Sequence, residues 1–89
     1  MINHNSEEIQ PSISKFERML KTNLIYYFDL QEFEDIVIHY LGFGENQIAK
    51  KALKMGLEQH PTSHALMLLQ SEIFILDQKY DLAINLLDY

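Results

Sequence analysis

The sequence contains no cysteine, and only two prolines and three glycines punctuate its 89 residues. Without cysteine the chain can form no disulfide, no thiolate metal site and no cysteine nucleophile, which fits a reducing compartment. Basic residues are also scarce: seven Lys and Arg stand against 13 Asp and Glu, for a formal net charge of −6. Because an acidic chain is repelled by phosphate backbones, we expect neither nucleic acid nor an anionic membrane as its partner.

Targeting segments and membrane spans are missing from the pattern as well. Apolar runs such as ALMLL at residues 65–69 are far too short to cross a bilayer. The start of the chain, MINHNSEEIQP, is polar and lacks the basic flank and apolar run of a signal peptide. The sequence therefore predicts a cytoplasmic protein with a flexible N-terminal tail over residues 1–13.

The pattern that the sequence does show is mainly helical periodicity. Its composition, 47% apolar and 22% charged residues, suits one folded domain. Capping boxes at SKFE (14–17) and DLQE (29–32) predict two helix starts. The GFG stretch (42–44) and Pro61 predict helix ends, and we interpret Gly56 as further punctuation. The predicted helices run from Ser14 to about Leu20, from Leu30 to Leu41, from about Glu45 to Gln59, from Thr62 or Ser63 to about Asp77, and from Lys79 onward.

Apolar residues at three- and four-residue steps predict the buried face of each helix. These residues are Phe16, Met19 and Leu20 in the first helix, Phe33, Ile36, Val37, Tyr40 and Leu41 in the second, and Ile48, Ala49, Ala52, Leu53 and Leu57 in the third. Between the first two helices, TNLIYYF at residues 22–28 predicts a packed connector, in which the aromatic run seals the open end of the helices that follow.

A shift of 34 residues, the distance from Ala49 to Ala83, superimposes the chain on itself. Under this shift six pairs keep their character as large apolar, aromatic or small residues. The pairs are Phe33 with Met67, Tyr40 with Phe74, Leu41 with Ile75, Ile48 with Leu82, Ala49 with Ala83, and Leu53 with Leu87. Six matches in one register predict a repeated helix–turn–helix unit.

The residues within each copy follow a recognisable order. The first copy reads Phe33-x2-Ile36-Val37-x2-Tyr40, then Ala49-x3-Leu53, then Pro61; the second reads Met67-x2-Gln70-Ser71-x2-Phe74, then Ala83-x3-Leu87. This order resembles the tetratricopeptide repeat (TPR) family, whose pattern is W-x2-L-G-x2-Y, then A-x3-F and a closing P. Two residues depart from this pattern: Val37 stands where the family has a small residue, and Gln70 stands where it has leucine.

The resemblance implies an all-α, right-handed solenoid of about two antiparallel helix pairs. In this arrangement residues 14–29 form an N-terminal capping helix and the aromatic connector. Residues 30–61 form the first repeat, and residues 62–89 form a second repeat that is truncated in its second helix. Small residues such as Ala49 and Ala83 are expected where paired helices cross closely, and large residues fill the space between successive pairs.

The function implied by the resemblance is a non-catalytic interaction or scaffolding module that binds a peptide or protein on its concave helix face. The stripe predicted to line that face combines Gln31, Glu34, Ile38 and Leu41 of the first copy with Ala65, Leu68, Glu72 and Ile75 of the second. Because the stripe mixes apolar and acidic residues, it suits an apolar or basic partner segment. Equally, neighbouring parts of a longer chain could cover it.

Two further hypotheses stay open beside this one. The chain could be a docking or regulatory segment of a larger enzyme or sensor, or a structural fragment of a longer repeat array. Its last predicted helix displays apolar residues where terminal repeats normally carry a polar outer face, which predicts self-association or continuation into further repeats. The residues concerned are Leu82, Ile84, Leu86, Leu87 and Tyr89.

Catalytic, cofactor and metal sites are not predicted. The sequence has no Gly-rich phosphate loop, no nucleophile elbow and no HExxH motif. His60 and His64 have the spacing of a helical zinc pair, but Pro61 breaks the helix between them, so we interpret both as surface residues of a turn. His39 is expected at a rim, and the acidic cluster Glu32, Glu34 and Asp35 is expected on a solvated helix face.

Overall fold

The computed structural model describes the backbone of residues 10–87 and the side chains of residues 10–85. This part of the chain consists of four α-helices joined by short segments and contains no strand. The helices are α1 (Pro11–Leu20), α2 (Leu30–Gly42), α3 (Asn46–Gln59) and α4 (His64–Leu87). The predicted all-α fold class is confirmed, whereas residues 1–9 of the predicted flexible tail lie outside the described residues.

Helix α1 begins three residues before the point that the SKFE capping box predicts. Pro11 is its first residue, where the fixed φ angle and missing N–H of proline suit a helix start. The Ser14 amide already donates to the Gln10 carbonyl at 3.1 Å, so Ser14 lies inside the first turn and caps nothing. The predicted capping box and the assignment of residues 11–13 to the tail are therefore wrong. Ile13 and Phe16 lie on the buried face of this helix.

Helix α2 begins and ends as the sequence predicts. The Glu32 amide donates to the Asp29 carboxylate at 2.8 Å, and the Asp29 amide donates to the Glu32 carboxylate at 3.0 Å. This reciprocal capping box satisfies two amides that the first turn of a helix leaves unpaired. After the helix, Gly44 has a φ of 74°, a left-handed angle that glycine adopts without steric cost. Of the predicted buried face, Phe33, Ile36, Val37 and Tyr40 are buried, whereas Leu41 is only half-buried.

Gly56 lies inside helix α3 at the point where three helices meet. A Cβ atom placed on Gly56 would lie 3.0 Å from Leu66 Cδ1 of α4 and 3.1 Å from Phe33 Cγ of α2. These distances are below ordinary van der Waals contact, so the missing side chain lets α2 and α4 approach α3 on both sides. The interpretation of Gly56 as punctuation is wrong, since it is a packing residue.

Helix α4 runs without interruption through the turn that was predicted near Asp77. Residues 64–87 form one helix of 24 residues, so the predicted fifth helix from Lys79 is not a separate element. The stretch DQKYD contains neither glycine nor proline, and each of its residues is tolerated in a helix. Ala83, expected at a close helix crossing, is exposed instead. Without a second helix folded back on the first, nothing in this stretch stops the helix.

The antiparallel pairing of α3 and α4 ends well before α4 does. Gly56 lies next to Leu66, and Lys50 lies 2.6 Å from Asp77, which fixes the opposite directions of the two helices. The ten residues from 78 to 87 continue about 15 Å beyond the Lys50–Asp77 ion pair, at 1.5 Å per residue. The C-terminal part of α4 is thus an overhang without a neighbour among the described residues.

The connector between α1 and α2 is extended and only partly packed. Phe28 is fully buried against Phe16 and Phe33, with ring centroids 6.1 and 5.2 Å away. Gln59 at the end of α3 accepts from the Phe28 amide at 3.0 Å and donates to the Tyr26 carbonyl at 2.7 Å. The expected packing is nevertheless incomplete, because three of its large apolar residues are exposed: Leu24, Ile25 and Tyr27.

Candidate functional site: the groove and exposed face of helix α4

A groove of about 580 Å³ lies between α3 and the first half of α4. We call it the α3–α4 groove. Leu53, Leu57, Ile73 and Phe74 give it an apolar lining. The polar lining residues are Lys50, Lys54, Glu58, Gln70 and Asp77. This combination can receive the apolar face of a helix whose flanks carry charge.

Local sequence features position the two walls of this groove. Ser63 caps α4, with its hydroxyl oxygen accepting from the Leu66 amide at 3.1 Å. Leu66 and Ile73, seven residues apart on one face of α4, are 0% and 4% exposed and hold the helix against α3. The Lys50–Asp77 ion pair, at 2.6 Å, lies where α4 leaves α3. The groove is therefore a fixed feature of the α3–α4 packing.

Phe74 is the most exposed of the apolar residues that line the groove. Its side chain is 63% exposed, although it lies one residue from the buried Ile73. Its counterpart in the 34-residue register, Tyr40, is 6% exposed and packs within the core. The same position is thus buried in the first copy of the repeat and uncovered in the second.

The face of α4 turned away from α3 is also apolar. Leu68, Ile75 and Leu82 recur at seven-residue steps, which places them on one stripe of the helix. Their exposed fractions are 63%, 52% and 61%. Among the α4 side chains that the structure describes, eight large apolar ones are exposed: Met67, Leu68, Phe74, Ile75, Leu76, Tyr80, Leu82 and Ile84.

The stripe predicted for the concave face is accessible, but it does not line the α3–α4 groove. Of its α2 members, Ile38 is 55% exposed, and Gln31 is exposed while Glu34 and Leu41 are half-buried. All four α4 members are exposed: Ala65, Leu68, Glu72 and Ile75. None of the eight residues lines the α3–α4 groove. The stripe as a binding surface stays a prediction, and sequence reasoning missed the groove.

Four of the five residues predicted for self-association lie on the overhang of α4: Leu82, Ile84, Leu86 and Leu87. Leu82 and Ile84 are 61% and 51% exposed. The side chains of Leu86 and Leu87, and all of Tyr89, lie outside the described residues. Where side chains are described, the predicted residues are therefore available to a partner.

A second, smaller cavity lies beside Tyr40. It has a volume of about 320 Å³, and Glu17, His39, Phe43 and Glu45 contribute to its lining. The Tyr40 hydroxyl donates to the Glu17 carboxylate at 3.2 Å. Burial first, then the charge and hydrogen bond of Glu17 and the charge of Glu45, raises the pKa of Tyr40 to about 12. Tyr40 therefore stays protonated at neutral pH and acts as a hydrogen-bond donor.

Three of the four histidines, His39, His60 and His64, lie among the described residues. His60 Nε2 lies 2.8 Å from the Phe28 carbonyl oxygen, which it contacts as a donor, so His60 fastens the connector to the end of α3. His39 lies at a rim as expected, half-buried with its ring 4.9 Å from that of Phe43. His64 is exposed at the start of α4. Within the part of the chain that the structure describes, no three His, Asp or Glu residues form a group that could hold a metal ion.

Comparisons with protein-family models, with curated proteins and with solved structures return no match for this chain. The TPR resemblance consequently stays a prediction. None of the helices between residues 10 and 87 is long and apolar enough to cross a membrane.

Proposed function

We propose that this chain is a non-catalytic interaction or scaffolding module that binds a protein or peptide segment on the exposed face of α4. The observation that carries the proposal is the stripe formed by Leu68, Ile75 and Leu82, each more than half exposed on one side of a single helix. Contiguous apolar patches of more than a few hundred Å² are rare on monomers and mark interaction surfaces.

Helical repeats of the TPR kind give this proposal its architectural frame. Phe33, Tyr40, Ala49 and Leu53 stand at the family's pattern positions, and all four are buried where α2 and α3 pack together. Val37, the departure from a small residue, is 0% exposed and is accommodated in the same core. In this frame α2 and α4 are the first helices of successive pairs, and their outer faces form one binding surface with Ile38 and Ile75 as apolar members.

The partner's chemistry follows from the charges around this surface. Glu34 on α2 and Glu72 on α4 belong to the predicted stripe, and the whole chain carries a formal net charge of −6. An amphipathic helix with apolar residues on one side and Lys or Arg on its flanks matches both properties. Such a segment buries its apolar side on Leu68 and Ile75 while its basic flanks face the two glutamates.

A second candidate function is docking within a larger assembly, either as a regulatory segment or as one part of a longer repeat array. The overhang of α4 supports it, because Leu82 and Ile84 remain exposed beyond the end of α3. A following helix pair would cover these residues in the way that α4 covers α3.

The proposal is tested with a fluorescently labelled model peptide, an amphipathic helix of leucine and lysine, titrated with the purified chain while anisotropy is measured. We expect the double substitution Leu68→Ser and Ile75→Ser to weaken binding at least tenfold, about 1.4 kcal/mol. The matched control is Leu24→Ser with Ile25→Ser, which removes from the connector two apolar side chains that are at least as exposed as Leu68 and Ile75. Equal weakening by both pairs, or no binding to the unmodified chain at 100-micromolar concentrations, would refute the proposal.

A further inference from the structure

The second half of α4 corresponds in sequence to a segment that is packed against neighbouring helices. In the 34-residue register, residues 79–87 correspond to residues 45–53, which begin α3. Ala49 and Leu53 in that segment are 0% and 3% exposed because they pack on neighbouring helices. Their counterparts are Ala83, which is exposed, and Leu87. The overhang thus has the sequence of a packed helix without the packing.

The α3–α4 groove is the surface that this segment fits. Tyr40 is covered in the first copy, whereas its counterpart Phe74 is 63% exposed and lines the groove. By the same register, residues 79–87 would pack on the first half of α4, which carries Phe74, as α3 packs on α2. Within one copy they cannot do so, because α4 is one continuous helix that carries these residues away from the Lys50–Asp77 ion pair.

Charge does not oppose this occupant. The groove carries Lys50, Lys54 and Glu58 on its α3 side and Asp77 on its α4 side, so its charges balance. Residues 79–87 contain one lysine, Lys79, and one aspartate, Asp81, among mostly apolar residues. Because neither surface carries a net charge, the segment is not repelled from the groove, even though the whole chain is acidic.

We propose that two copies of this chain form a dimer by helix exchange, in which residues 79–87 of each copy occupy the α3–α4 groove of the other. The exchange is reciprocal, so it closes about a two-fold axis and leaves neither groove empty. Leu82 takes the position that Ile48 has in the first copy, and Ala83 takes that of Ala49 at the close crossing. The exchange covers Leu82, whereas Leu68 and Ile75, the two residues substituted in the peptide test, face away from α3 and stay free, so the dimer does not depend on the proposed peptide binding.

Light scattering with size-exclusion chromatography measures the mass of the full 89-residue chain and of two matched variants. Ala83→Glu places a carboxylate at the crossing, whereas Asn85→Glu adds the same charge at the counterpart of the exposed Lys51. Since Ala83 and Asn85 are both exposed within one copy, neither substitution disturbs its own fold. We expect twice the 10.5 kDa chain mass for the unmodified protein and for Asn85→Glu at 50-micromolar concentrations, and the single mass for Ala83→Glu.

A third variant separates exchange from other modes of dimerisation. Lys79→Pro disfavours helical backbone at Gln78 and breaks α4 at the predicted turn, so the segment can fold back into its own groove. Exchange then predicts a folded monomer with helix content close to the original by circular dichroism. An unmodified chain that stays monomeric at 200-micromolar concentrations would overturn the proposal. A dimer that persists in both Ala83→Glu and Lys79→Pro would overturn it as well.

Discussion

Replacing Gly56 by alanine tests the central packing of the fold with a single methyl group. The new Cβ would lie 3.0 Å from Leu66 Cδ1 and 3.1 and 3.2 Å from two ring atoms of Phe33. Leu66 can shift the end of its side chain, but Phe33 is 0% exposed and packs against the rings of Phe28 and His60. Because the ring has little room to move, the methyl group forces α2 and α3 apart by a few tenths of an ångström.

Two opposing effects decide the magnitude. Alanine is favoured over glycine inside a helix by about 0.8–1.0 kcal/mol. Overpacking a close-packed core costs about 1–3 kcal/mol. We therefore expect Gly56→Ala to lower the free energy of unfolding by about 0–2 kcal/mol, although the same change in an open helix would raise it. A loss of 1 kcal/mol lowers the melting temperature by about 4–8 °C in a domain of this size.

Gly42→Ala is the matched control, because it introduces the same group at a helical position with no atom within 4 Å. Urea unfolding followed by circular dichroism gives the free energy of unfolding for both variants. We expect Gly42→Ala to be neutral or stabilising, and the difference between the two variants to be about 1–3 kcal/mol. If Gly56→Ala stabilises the protein as much as Gly42→Ala does, the close approach of the three helices at Gly56 is refuted.

Three other predictions concern a helix cap, a buried hydroxyl and an ion pair. Asp29→Ala removes a capping box and should lower the free energy of unfolding by about 1 kcal/mol, whereas Ser14→Ala should change it by less than about 0.5 kcal/mol; equal losses in urea unfolding would restore the rejected cap. The pKa of Tyr40 is raised above its unfolded value of 10, so its stabilising effect is complete below pH 10 and lost as pH rises towards about 12. The melting temperature should therefore fall less steeply with pH between these values in Tyr40→Phe than in the unmodified protein. The same pH dependence in both proteins would contradict this. Lys50→Ala breaks a half-exposed ion pair and should cost no more than about 1 kcal/mol, with 1 M salt removing the difference; a larger or salt-independent loss would show that Lys50 acts through packing.

The sequence predicts α2 and α3 closely because their limits depend on local chemistry. Asp29 and Glu32 satisfy each other's backbone amides within four residues, and Gly44 supplies a left-handed angle that few other residues adopt. The α1 start was missed because two local signals compete. Pro11 at the first position prevailed over Ser14, whose cap would have shortened the helix by nearly a turn.

The remaining features depend on distant contacts, which a local pattern does not contain. Whether α4 turns near Asp77 is decided by what packs against residues 79–87, since DQKYD itself permits either outcome. The role of Gly56 follows from Phe33 and Leu66, which are separated from it by 23 and ten residues. For the candidate site, residue types predicted the exposed apolar stripe, but the α3–α4 groove needed the relative placement of two helices.

The two hydrogen bonds of Gln59 satisfy backbone groups of the extended connector. A primary amide carries both N–H donors and a carbonyl acceptor, as a peptide group does, and Gln59 directs an N–H to the carbonyl of Tyr26 and its oxygen to the amide of Phe28. These two groups lie on either side of Tyr27, and a residue of a parallel neighbouring strand would hydrogen-bond to the same two groups. One side chain thus stands in for an adjacent strand, and the connector satisfies its backbone without belonging to a sheet. Glutamate lacks the donor and lysine lacks the acceptor, so neither can replace glutamine there.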